Sequence, residues 1–400
     1  MELETLYALR SPSGVPSPPV LFLVLLVLTW ALHILAVYVM LGSVTLSLVG
    51  AWIAHPNWRR LSSAMLDTAK VAVSMAIVLG VAPLLFVQVI YDPFWYVSNV
   101  LSARWVLAFV MLLLTAYYAL YHRYFAGRDG GQAGRLSLAV ALVLLLAAGF
   151  IMHVLTHQML RPELWLHWYA PDGHIDASGS GLHDFNIGRF LYFLTLALPV
   201  TGAWLSGYSY YLAQRPQEDR AYLQWLRVLS GRAMSVGGLV ALLCYALWMS
   251  TLPDAAKSFG TSLWSVLAVV ATLALAIAPA LFKVQPADCR PALLAAAAIV
   301  AIAAAREALR IGILKGSHGY DLFAYPVNFD GYGALLFFLT FAALGGPAVA
   351  FSIALSWEAG KTAGLYTASP LIARLGRFSL VALGIWVAQY FLFGLLTLVR

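Results

Sequence analysis

The sequence predicts an all-α membrane protein: a bundle of about ten transmembrane helices with both termini on the outer side. Three observations carry this. Hydrophobic residues make up 62% of the 400-residue chain and charged residues 10%, whereas a soluble domain needs about 25% charged residues. Mean hydropathy is +0.84. Apolar runs long enough to cross a ~30 Å hydrocarbon core fall at 20–54, 63–91, 100–125, 136–160, 187–213, 222–251, 259–282, 291–315, 331–357 and 371–399.

Orientation follows from Lys and Arg, which favour the cytoplasmic side. Fifteen of the 24 follow odd-numbered spans, Arg59, Arg60, Arg128 and Lys283 among them, and nine, Arg400 included, lie on the opposite side. Residues 1–19 are expected to be an outer tail before an uncleaved first span. Residues 20–214 form a first half with a long outer loop at 161–186, and residues 215–400 a second helical half. The net charge of +7 sits at span ends, which argues against nucleic-acid binding. Cys244 and Cys289 form no CxxC or CxxCH, which argues against covalent c-type haem and thiolate metal sites.

Polar residues inside spans are costly and mark functional candidates. Span one carries His33, followed by Gly42, Ser43 and Ser47 at helical spacing. The small residues admit another helix or a flat ring, and the imidazole either hydrogen-bonds or ligates a metal. Span two contains Gly80 and Pro83, then Gln88 and Asp92 four apart. Gln88 lies in an interfacial aromatic belt or lines a cofactor or quinone pocket. Tyr117, Tyr118, Tyr121 and His122 anchor the cytoplasmic end of span three. Span four carries His153 and His157, four apart and so on one helix face. His153 is the deeper, and the better ligand candidate. His157 and Gln158 are placed to bond a propionate or a quinone, or all are interfacial residues satisfied by loop carbonyls. Five of the nine histidines lie between Gly149 and Tyr211, and those of the loop, His167, His174 and His183, read as part of a lid. In span eight, Arg306, Glu307 and Arg310 fall within about one turn. They form a network pinning the loops, or the arginines hold carboxylates through their planar forks. Glu307 is then a candidate proton carrier.

The order of these features resembles subunit I of the cytochrome bd quinol oxidases. LHILAVYVMLG places His33 at a haem-ligand position of that family. VLGVAPLLFVQVIYDPFWYVSN is similar to its second span and aromatic outer loop. GRFLYFLTLALPVTGAWLSGYSYYL, with Val200-Thr201-Gly202, is similar to its fifth. Leu309-Arg310-Ile311 matches an Arg-Ile-Met near its outer face. The likeness covers about residues 20–214. Departures are equally specific: Tyr192 stands at a second histidine ligand, Gly312 at the methionine ligand, span three lacks the family's glutamates, and the family's quinol loop is not recognisable.

The resemblance implies a multi-pass subunit of a respiratory complex in a bacterial cytoplasmic membrane, transferring electrons through b-type haem and exchanging them with quinol near the outer face. His33 and His153 are the candidate haem-iron ligands. Gln88, Arg306 and Arg310 line the cofactor or quinol pocket, with His157 and Glu307 as candidate proton acceptors. Partners would be lipid, quinone and other subunits, such as a cytochrome c. Oxygen reduction by the family's route is not expected. Two further expectations are a haem-free anchor that keeps the scaffold and, third in order, a transporter, against which the lack of repeats and paired broken helices argues.

Overall fold

Among the described residues of the computed structural model, ten helices are long and apolar enough to cross a membrane, and there is no β-strand beyond one isolated bridge. The structure describes residues 3–126, 131–282, 288–362 and 364–398. Arg128, Lys283 and Arg400, which enter the charge count, lie outside the described residues. A short helix α1 (Leu3–Ala8) precedes span one, α2 (Pro19–Trp52). Span two is α3 (Pro56–Ile90), capped by α4 (Asp92–Leu101). Spans three and four are α5 (Ala103–Phe125) and α6 (Gly131–Gln158). After the loop with α7 (Trp165–Tyr169), span five is broken at Leu196 into α8 (Ile187–Thr195) and α9 (Ala197–Leu212). Spans six to eight are α10 (Arg220–Ser250), α11 (Leu263–Leu281) and α12 (Arg290–His318). Span nine is α13 (Gly331–Leu339) and α14 (Gly346–Ala359), joined through a π-helical turn over Thr340–Gly345, and span ten is α15 (Pro370–Leu398).

An even number of spans brings α1 and the end of α15 to one face of the bundle, which also carries the loops 161–186 and 319–330. Helix α3 starts earlier than its apolar run suggests. Pro56 is pre-set for the first helical turn, the His55 side chain accepts a hydrogen bond from the Asn57 N–H at 3.2 Å, and Arg59 and Arg60 fall inside the helix.

Helix α2 is the hub, packing on α3, α6, α9 and α12. Its small residues admit helices, which decides the choice left open between a helix and a flat ring. At Gly42 the Thr201 side chain of α9 occupies the space a Cβ would need, and Thr201 Oγ1 donates to the Tyr38 carbonyl at 3.3 Å. One turn on, Ser62 of α3 donates to the Ser47 carbonyl at 2.7 Å. Spans nine and ten pair with each other and leave nearly all of their surface outward.

The N-terminal segment is strapped down. Arg10 donates to the Tyr320 hydroxyl (2.7 Å) and to the carbonyls of Ala324 (2.9 Å) and Asp321 (2.6 Å), with its guanidinium against three tyrosine rings. Asp92 Oδ2 accepts from the Ser11 N–H and the Tyr325 hydroxyl. Burial pushes the Asp92 carboxyl up, against the hydrogen bond from Tyr325.

Because Gly42 is filled by Thr201, Gly42→Ala forces α2 and α9 apart and is expected to cost about 1–3 kcal/mol. Thermal unfolding in detergent checks this. The control is Gly384→Ala in α15, where an added methyl meets nothing within 4 Å and no loss of stability is expected.

Candidate functional site: a histidine and three arginines around one cavity

A cavity of about 700 Å³ lies among α2, α3, α4, α5, α6, α8 and α12, within the ~300–1,000 Å³ range of small-molecule and cofactor pockets. It is walled mainly by apolar side chains. His33 enters from α2. Its Nδ1 lies 2.9 Å from the Ala76 carbonyl of α3, which can only accept, so Nδ1 carries the proton. Nε2 therefore keeps its lone pair, and the described residues supply it no partner. A ring nitrogen fixed by a carbonyl while the other stays free is the usual arrangement of a metal-bound histidine. Gly80 makes room for the ring, since a Cβ there would lie 2.9 Å from His33 Cε1. Pro83, also in the wall, loosens α3 by removing a backbone donor.

Charge is concentrated towards the loop-bearing face. Glu307 Oε1 accepts from Arg306 Nη2 at 2.5 Å, and Oε2 from Arg310 Nη1 at 3.1 Å and the Tyr91 hydroxyl at 3.3 Å. Arg306 stacks on Trp30 at 3.8 Å, and its Nε is buried with no hydrogen-bond partner. Trp30 precedes His33 by three residues on α2, about 4.5 Å of helix rise. A third guanidinium, Arg189 of α8, donates to Thr156 Oγ1 at 3.2 Å and approaches His153 Nδ1 at 3.1 Å. Among the described residues no carboxylate is paired with it. The three arginines are at most 8% exposed, and Glu307 is 1% exposed. One carboxylate against three guanidiniums leaves two uncompensated positive charges in an apolar setting, where an unpaired charge is expensive.

Five residues singled out from the sequence meet at this cavity: His33, Gln88, His153, Arg306 and Arg310. Two do not line it. Glu307 sits behind its arginines, its carboxylate saturated by three donors. It neutralises and orients those arginines, and the pinning network and the cavity-facing arginines prove to be one structure. His157 lies one turn beyond His153, with Nδ1 3.3 Å from Asp184 Oδ2, an ion-pair distance with poor hydrogen-bond alignment. It ties α6 to the loop 161–186.

His153 differs from the expectation of a second metal ligand. Its Nδ1 faces Arg189 and its Nε2 faces the Asn186 N–H at 3.2 Å. Both neighbours are donors, whereas a neutral imidazole has one acceptor nitrogen. Neither nitrogen is free for a metal, and the ring instead places Arg189. Gln158 is a structural bolt: its amide donates to the Ser98 carbonyl and Ser102 Oγ, and accepts from the His183 N–H. His183 stacks on Trp168, 5.1 Å between centroids. Among the described residues no three His, Cys, Asp or Glu side chains group as a metal site.

Tyr192 is fully buried. Its hydroxyl is 3.0 Å from Thr272 Oγ1 and its ring packs on Tyr245 and Trp248, around a void of only about 10 Å³. Aromatic packing fills this region. Gly312 faces outward.

Arg189, Gly80 and Trp30 were not singled out from the sequence as site residues. Arg189 had the same signal as Arg306, a charge inside an apolar run. Gly80 and Trp30 become legible only once α2 lies against α3 and α12.

No family model, curated protein or solved structure matches this chain.

Burial alone would raise the Asp184 carboxyl, but contact with His157 and the charges of His157 and Arg161 outweigh it and hold it below the usual carboxylate range. Arg161 Nη1 is 3.2 Å from Asp184 Oδ2. A depressed pKa gives stability that is present above the unfolded value, about 3.9, and lost as pH falls through the folded one. Protection against hydrogen exchange in 161–186, taken relative to the intrinsic rate, is therefore expected to fall below about pH 4, and Asp184→Asn to weaken that pH dependence.

Proposed function

We propose that this chain is a membrane-embedded electron-transfer subunit that binds one b-type haem in the cavity and exchanges electrons with quinol. The observation that carries the reading is the pairing of a free imidazole nitrogen with two unbalanced positive charges about one helical turn nearer the loop-bearing face. Haem b is a flat apolar ring with an iron that takes a neutral imidazole and two carboxylates on one edge. The donor set fits it. His33 Nε2 would hold the iron. Arg189 and Arg306, with Arg310 beside them, would take the propionates and cancel the excess charge. Bound there, haem b supplies one-electron redox chemistry.

The chain's own residues do the rest. The Ala76 carbonyl holds the His33 tautomer. Glu307 keeps Arg306 and Arg310 oriented, so little rotamer freedom is lost on ligand binding. The apolar wall excludes water. With His153 committed to Arg189, His33 would be the sole protein ligand. The likeness to cytochrome bd subunit I in the first five spans supports a respiratory complex in a bacterial cytoplasmic membrane, with the loop-bearing face outward, and a cytochrome c or another subunit as the next carrier. His157, paired with Asp184 at that face, is the candidate proton acceptor during quinol oxidation.

A haem-free anchor is the second reading, and the filled aromatic region around Tyr192 favours it, since the family places a haem ligand there.

An absorption spectrum of the purified protein tests the proposal. A Soret band is expected, lost in His33→Ala and retained in His153→Ala. Arg306→Gln is expected to weaken haem retention by about 1.5–3 kcal/mol, the worth of a charge-assisted hydrogen bond. No Soret band would leave the anchor reading standing, and a band unchanged in His33→Ala would overturn His33 as the iron ligand.

A further inference from the structure

The cavity is not closed towards the lipid. Helix α5 packs on α6 and makes only slight contact with α3, and the cavity wall reaches the protein surface between α3 and α5. Within the α3 wall, Ile77, Val81, Leu84 and Gln88 form one stripe, at steps of four, three and four residues. On α5 the wall is Val106, Phe109, Val110 and Leu113. Such spacings put each set on one helix face, and the α3 stripe is about 16 Å long. Val81 and Val110 are both wall residues and about half exposed, 52% and 48%. The groove is therefore continuous with the outer surface of the bundle at the depth of the spans.

At its end near the loop-bearing face the groove becomes polar without becoming charged. Gln88 closes the α3 stripe. Tyr96 and Asn99 face it from α4, three residues apart. The described residues give the Gln88 amide and the Tyr96 hydroxyl no partner, and Asn99 spends one amide N–H on the Trp95 carbonyl at 2.6 Å. The free groups include both donors and acceptors, beside the Trp95 and Phe109 rings.

We propose that this groove is the entry and binding site of a membrane-dissolved prenyl quinone. The tail would lie between the α3 and α5 stripes and the ring among Gln88, Tyr96 and Asn99. The inference deepens the preceding reading and rests on it, because haem propionates then take the arginines and leave a neutral mouth. A carbonyl- or hydroxyl-bearing ring suits neutral donors and acceptors. Gln88, Tyr96 and Asn99 offer no positive charge to an anionic phosphate headgroup, and with the propionates bound the cavity arginines are already engaged. Lateral entry also explains why the wall residues of α3 and α5 are apolar through the whole depth of the groove.

The test is photolabelling of the full chain in phosphatidylcholine vesicles with an azido-substituted long-chain prenyl quinone, mapped by peptide mass spectrometry. Label is expected within 77–113, displaced by unlabelled long-chain quinone but not by the tail-less ring. Val81→Trp and Val110→Trp, both on the lipid side of the wall, and Gln88→Leu should each lower labelling about tenfold. Label undiminished by competitor or by both Trp variants overturns the proposal. So does label displaced equally well by added phosphatidylglycerol, which would make the groove an acyl-chain site. The Soret band of the same sample reports separately on haem: displaceable label without a Soret band keeps the groove and removes the haem reading.

Discussion

Three buried arginines against one buried glutamate is the constraint on which the rest of this structure depends. Glu307 balances one charge and leaves two. In an apolar bundle such an excess is costly to hold. The fold spends much of its local architecture on keeping the arginines in place: Tyr91 completes the Glu307 shell, Trp30 supports Arg306, and Thr156 and His153 position Arg189. A residue that looks catalytic by type, Glu307, is the keystone of this network. A residue that looks like a ligand, His153, is one of its braces.

Helix α2 connects that charged end to the rest of the bundle. One face meets α12 through Trp30 and Arg306, the next presents His33 to the Ala76 carbonyl, and the following turns lie against Thr201 and Ser62. The close approach at Gly42 and the small residues after it fix where α3 and α9 lie, and so where the carbonyl that sets the His33 tautomer lies. Packing several turns away thereby bears on which nitrogen faces the cavity. The aromatic block around Tyr192, with its hydroxyl satisfied by Thr272, is solid by comparison. The cavity opens beside α2 towards α3, α5 and α6, with the arginines of α8 and α12 at one end.

Much of this was legible in the sequence, for physical reasons that differ by element. Ten apolar runs were visible because the length of a membrane crossing is set by the bilayer, although α3 begins seven residues before the run marked for it because Pro56 and His55 start the helix in polar sequence. His33, Gln88, Arg306 and Arg310 were marked by polarity inside apolar runs, and the same rule would have marked Arg189. The roles of His153 and His157 were not legible. They depend on where the loop 161–186 returns Asp184, Asn186 and Arg189 to α6, a matter of tertiary contact. The strapping of residues 3–18 rests likewise on tyrosines more than 300 positions away.

If the charge excess and the free His33 nitrogen serve one haem, its stoichiometry is fixed. The most direct measurement is the haem b content of the purified chain by its pyridine haemochrome, set against protein mass. One haem b per chain is expected, as a single site with the region around Tyr192 filled requires. A content of zero, or of two, would contradict it.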